Sequence, residues 1–131
     1  APPNNGKPPS KQTLHDRVRY HYSGNAEGST LRLTLGCLLS DDLDIQLRRV
    51  GSGKRMTFAD GEERLSEWMQ ENATVCWMID PEPWIVEEES IATWYLPLNL
   101  DKNRDNQFHA DLTNIRASAK KVARELPVWN Q

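Results

Sequence analysis

Arg17-Val18-Arg19-Tyr20-His21 lies inside a run, residues 11–22, that contains neither proline nor glycine and reads as one helix. Ser10 is the expected N-cap, and Ser23-Gly24-Asn25 the expected stop. Positions four apart share a helix face, so Arg17 and His21 address the same region of space. Upstream, residues 1–10 hold four prolines and form a proline-rich loop. Downstream, Ser29 or Thr30 caps a second helix with Leu31, Leu35, Leu38 and Leu39 on one face, closed by Asp41-Asp42. Residues 45–50 and 55–58 alternate in polarity around Gly51-Ser52-Gly53, which predicts a hairpin. Asp60 caps a helix carrying Leu65, Trp68 and Met69 and ending at Asn72. Residues 73–79 are short, apolar and β-rich, the pattern of a buried strand. Pro81 and Pro83 open a helix that Pro97 stops, with Trp84 and Trp94 read as core aromatics. After a polar loop over 99–110, Asp111 caps a basic final helix. Short strands interleaved with helices predict an α/β (α+β) fold, a small central β-sheet flanked by helices.

With 131 residues, the chain fits one domain, expected over 11–131. Hydrophobic residues at 37% and charged residues at 27% exclude a disordered chain. No apolar run approaches the ~20 residues that span a bilayer, and residues 1–9 lack the apolar core of a secretory signal. Cys37 and Cys76 each sit in an apolar run and read as core thiols, which points to a reducing cytoplasm. The net charge of −3 is unevenly spread: residues 1–40 carry +3, 41–100 carry −8 and 101–131 carry +2. Basic flanks around an acidic middle suit a phosphate-binding rim around a carboxylate site, as they equally suit solvated faces that happen to segregate.

Three features carry chemistry. The first is Arg17 with His21, a guanidinium able to grip a phosphate and an imidazole that exchanges protons near neutrality, or else a chance surface pair. The second is Glu87-Glu88-Glu89, ordinarily a solvated face. Trp84, Val86, Ile91 and Trp94 leave that helix little polar surface, so Glu87 or Glu88 is a candidate to enter a cleft and hold Mg²⁺ or Mn²⁺ with water. The third is Asn99 in Leu96-Pro97-Leu98-Asn99-Leu100, a candidate cross-link through its amide or simply a polar turn residue.

In this order the residues resemble the GIY-YIG nuclease family, whose pattern sets Arg and His four apart on the first helix after the YIG strand. A later helix carries one metal-binding Glu and is followed by a Pro-x-Asn or Pro-x-x-Asn stop. Arg17 and His21 match the first part; Glu87, with Ile91 and Asn99 after it, matches the second. Gly24-Asn25-Ala26-Glu27-Gly28-Ser29-Thr30-Leu31-Arg32, Leu65-Ser66-Glu67-Trp68-Met69, Leu96-Pro97-Leu98-Asn99-Leu100 and Phe108-His109-Ala110-Asp111-Leu112 look like an actinobacterial-type branch of it. The two naming motifs are absent, and Tyr20, Tyr22 and Tyr95 do not stand in their contexts. The domain is therefore expected to be incomplete at its N-terminus, with an exposed sheet edge open to homodimerisation.

The resemblance implies a metal-dependent endonuclease acting on nucleic acid, double-stranded DNA by expectation. Arg17, His21 and Glu87 are then catalytic, with Glu87 the ligand of Mg²⁺ or Mn²⁺, and the absent tyrosine or His21 acts as general base. Lys11, Arg19, Arg32, Lys102 and Arg104 are the expected backbone contacts, and Asn99 is structural. The alternative is an inactive nucleic-acid-binding or protein-interaction module of the same fold, favoured by the absent tyrosines and the negative net charge.

Overall fold

The computed structural model describes residues 11–130. The proline-rich loop 1–10 and the Ser10 cap fall outside the described residues. The first helix, α1 (Leu14–Ser23), is capped by Thr13 instead. Thr13 Oγ1 accepts the Asp16 N–H, and the Asp16 carboxylate accepts the Thr13 N–H, both at 3.1 Å. This reciprocal box satisfies two donors at the helix start and holds the Asp16 carboxyl below its usual pKa. Ser29 caps α2 (Thr30–Leu38) as expected, its Oγ accepting the Arg32 N–H at 3.2 Å. A single-turn helix, α3 (Ser40–Leu43), closes on Asp44 in the left-handed conformation.

The expected hairpin forms from β1 (Arg48–Val50) and β2 (Arg55–Thr57), antiparallel with Arg49 opposite Met56. Gly51 and Gly53 supply the positive φ angles of its turn, 60° and 89°. A 3₁₀ turn over Ala59–Gly61 contains Asp60, so the expected Asp60 cap is replaced. The next helix, α4 (Glu62–Asn72), starts with no side-chain cap. Then come α5 (Pro83–Thr93), with Pro83 in its first turn, and α6 (His109–Glu125), which begins ahead of Asp111. Helices with one small two-stranded sheet give the α+β, GIY-YIG-like class.

Residues 73–80 depart from expectation. They join no sheet, and their apolar side chains face solvent, with Trp77 68% and Ile79 90% exposed. Composition marked the segment as a strand, but a strand forms only where a neighbour completes its hydrogen-bond ladder. Tyr22 Oη donates to Ala73 O at 2.9 Å and pins one end. Cys76 is accordingly exposed, whereas Cys37 is buried as expected. Trp94, expected in the core, is also exposed, because α5 ends one residue before it.

The core gathers Ala26, Cys37, Ile45, Leu47, Phe58, Leu65, Met69 and Ala123. Here α2 and β1 pack on α6, and α1 packs on α4. Gly36 admits the Phe58 ring directly onto α2, since a Cβ at that position would collide with the ring. Two hairpin arginines close the far end. Arg49 donates to Ala123 O (3.2 Å) and Leu126 O (2.7 Å), satisfying carbonyls at the end of α6. Arg48 donates to Pro127 O at 3.0 Å and lies over the Trp129 ring at 5.1 Å.

Candidate functional site

The last two turns of α1 present Arg17 and His21. The Arg17 side chain is exposed and makes no hydrogen bond or ion pair among the described residues. His21 is half-buried, with Nδ1 2.7 Å from Ser29 Oγ. The proton count at that contact fixes the tautomer. Ser29 is 1% exposed and its oxygen already accepts the Arg32 N–H. Its single hydroxyl proton would be stranded in the interior unless it goes to His21 Nδ1. Nδ1 therefore accepts, and in the neutral ring Nε2 carries the hydrogen. Burial lowers the His21 pKa, and the charges of Arg17 and Arg32 lower it further. The lowered pKa favours the neutral ring, whose Nε2–H is a hydrogen-bond donor. His21 lines a cleft of about 500 Å³ with Tyr22, Trp68, Met69 and Leu98.

Arg32 is corrected. Expected at a nucleic-acid backbone, it is 0% exposed at the centre of the fold. Nε and Nη2 donate to Glu62 Oε2 at 3.1 and 2.7 Å, and Nη2 also reaches Glu62 O at 2.8 Å. Nη1 donates to His21 O and Tyr22 O (3.1 Å each) and to Ser66 Oγ (3.0 Å). Glu62 Oε1 accepts the N–H groups of Ala26 (2.8 Å) and Phe58 (3.1 Å). A guanidinium so occupied has nothing left for a phosphate. It fixes the backbone of His21 and so positions the site from behind.

Glu87 is exposed on α5, and its carboxylate forms no hydrogen bond or ion pair among the described residues. Its neighbour Glu88 pairs with Lys102 at 2.6 Å. That bond and the charge of Glu88, with smaller effects of Asp101 and Glu87, raise the Lys102 pKa. Glu87 is not among the walls of the cleft that His21 lines; Leu98, after the Pro97 stop, is what brings this part of the chain to α1. Among the described residues no three His, Cys, Asp or Glu side chains form a metal cage. The donor chemistry of Glu87 nevertheless fits a hard divalent ion that keeps most of its water, since an uncommitted carboxylate offers it oxygen.

The cross-link expected of Asn99 belongs to Asn103. Buried Asn103 donates through Nδ2 to Leu96 O (2.9 Å) and Asn99 O (3.0 Å), clamping the loop after α5. The Asn99 amide is exposed and makes no hydrogen bond among the described residues. The signal available was Asn103 itself, a second amide four residues on in the same polar loop. Of the remaining expected contacts, Lys11, Arg19 and Arg104 are exposed, and Lys102 is exposed but paired.

No hydroxyl of Tyr20 or Tyr22 is idle. Tyr20 Oη donates to Asn25 Oδ1 at 3.3 Å, Tyr22 Oη to Ala73 O, and Tyr95 lies 70% exposed.

Residues 6–118 match the family model described as the GIY-YIG catalytic domain. The match covers most of the chain and includes α1, α5 and the Pro97 loop, so the protein belongs to the GIY-YIG family. Membership implies an endonuclease, a hydrolase of nucleic-acid phosphodiesters, and these nucleases generally use divalent metals. No curated protein and no solved structure shows a significant match. No helix among the described residues is long and apolar enough to cross a membrane.

Proposed function

We propose that this chain is a metal-dependent endonuclease domain of an actinobacterial-type branch, hydrolysing phosphodiester bonds of double-stranded DNA in the cytoplasm. The observation that carries this reading is His21 held by Ser29 beside the free Arg17. It sets a hydrogen-bond donor and an uncommitted guanidinium on the helix where the family pattern needs both.

Arg17 grips the scissile phosphate and neutralises the charge that grows on it. The Nε2–H of His21 offers a hydrogen bond to a phosphate oxygen. The ring is a poor general base, because Ser29 already gives a proton to Nδ1. Glu87 would hold a divalent ion, Mg²⁺ or Mn²⁺, which when bound would supply Lewis-acid stabilisation of the phosphate. Lys11, Arg19 and Arg104 contact the backbone, joined by Lys102 once Glu88 releases it, which an exposed ion pair allows at small cost. Water activation would fall to the tyrosine that the family pattern places on its GIY and YIG strands.

A second reading, a binding module without catalysis, is favoured by the engagement of the Tyr20 and Tyr22 hydroxyls. A plasmid-nicking assay with Mg²⁺ or Mn²⁺ separates the two. We expect metal-dependent cleavage, lost in Glu87→Gln, which removes the charge and keeps the shape. Cleavage that survives Glu87→Gln but not Glu88→Gln would move the metal ligand by one residue. DNA binding without cleavage would establish the module.

A further inference from the structure

Several of the basic side chains among the described residues are committed within the fold, and others are not. Arg32, Arg48, Arg49, Arg64 and Lys102 are each spent on a named partner within the fold. Arg116, Lys120 and Arg124 are not: none makes a hydrogen bond or ion pair among the described residues. Their placement follows from the periodicity of α6. Leu112, Ile115, Ala119 and Ala123 turn one face of that helix inward. The next stripe round is Arg116, Lys120 and Arg124, stacked four residues apart, about 6 Å per step along the axis. Lys54, from the hairpin turn, meets the same stripe. The four cations line a groove of about 400 Å³ floored by Ala26, Thr30, Leu33 and Met56.

One acid, Glu27, shares the groove, and its Oε2 is occupied by the Met56 N–H at 3.0 Å. Four like charges in one groove repel, and like pairs four apart weaken a helix. Glu27 offsets one of the four charges, and a polyanion laid along the groove would offset the rest. The groove is also tied to the α1 site. Ala26, Glu27 and Thr30 line it, while Ser29, within the same short stretch, holds His21.

We propose that Lys54, Arg116, Lys120 and Arg124 form a second nucleic-acid contact, a groove that takes the phosphodiester backbone and seats the strand on the α6 side of the catalytic helix. This rests on the nucleic-acid reading above. The groove offers charge rather than base-edge hydrogen bonding, so it grips without regard to sequence.

The test is the salt dependence of binding, followed by fluorescence anisotropy on a short DNA duplex and on an RNA duplex of the same sequence. Each phosphate contact contributes about −0.9 to the slope of log K against log salt on B-DNA. The triple variant Arg116→Gln, Lys120→Gln, Arg124→Gln should therefore lose about 2.7 from the DNA slope, with an unchanged circular dichroism spectrum. Arg116→Lys with Arg124→Lys should keep the slope. Arg55→Gln with Lys121→Gln, on the same hairpin and helix but outside the groove, should change it little. Loss on DNA alone would assign the groove to B-form backbone, and equal loss on RNA to phosphate of either kind. If the parent binds and the triple variant keeps its slope while Arg17→Gln loses affinity, the groove is overturned and the nuclease reading stands. If the parent binds neither duplex, both fall.

Discussion

Arg32 Nη2 lies 2.7 Å from Glu62 Oε2, an ion pair buried between α2 and the first turn of α4. It holds two charges inside the fold only because every other polar atom of the pair is also satisfied.

Breaking it from either side should be severe. Arg32→Ala leaves a buried carboxylate and Glu62→Gln an unneutralised guanidinium, each costing about 3–5 kcal/mol. Urea unfolding measures this. An Arg32→Ala chain of normal stability with weakened DNA binding would return Arg32 to the surface role expected from the sequence.

That residue shows where sequence reading stopped. The helix of Arg17 and His21, the Ser29 cap and the glycine turn were legible because each rests on residues a few positions apart. Arg32 sits in a leucine-rich run with no acid on its own helix, and its partner is 30 residues away. A basic residue in that setting looks like a ligand for an external anion when the anion is internal. Residues 73–80 failed for a related reason: local composition reports the wish to form a strand and says nothing of the neighbour that would pair with it. Asn99 and Asn103 are equivalent as sequence, and only the return path of the loop separates them.

His21 gives a pH signature. Its folded pKa lies below the ordinary value of 6.5, so the unfolded chain binds more protons in that window. The stability it protects is complete above about pH 6.5 and falls as the pH drops towards the folded pKa. Denaturation midpoints at pH 5 and pH 7.5 should differ more in the parent than in His21→Gln. Equal differences would mean that the ring titrates as it does in water.

Asn103→Ala removes two hydrogen bonds from a buried amide and should destabilise by about 1–2 kcal/mol. Asn99→Ala should stay within about 0.5 kcal/mol of the parent. Thermal melts of the two variants would sink this assignment if their order were reversed.

The two thiols should separate chemically. Burial pushes the Cys37 thiol up to about 11, whereas Cys76 is exposed. Iodoacetamide at pH 8 should label Cys76 first, with Cys37 protected until the chain is denatured. Peptide mass spectrometry reads the order directly.

Exposed Val75, Trp77, Met78 and Ile79 form an unpaired apolar segment, and such a segment recruits partners. Light scattering of residues 11–131 should show self-association that Trp77→Ser with Ile79→Ser reduces. A monomer at high concentration would remove the expected homodimer.

The Arg49 latch onto Ala123, 74 residues later in the chain, also orders events in time. A hairpin of two three-residue strands is marginal when isolated, and β1 leans on the end of α6. Synthesis runs from the N-terminus, so the hairpin must wait for its support to be made. A chain cut short before Ala123 would leave the hairpin without its anchor and open the core that α2 shares with α6.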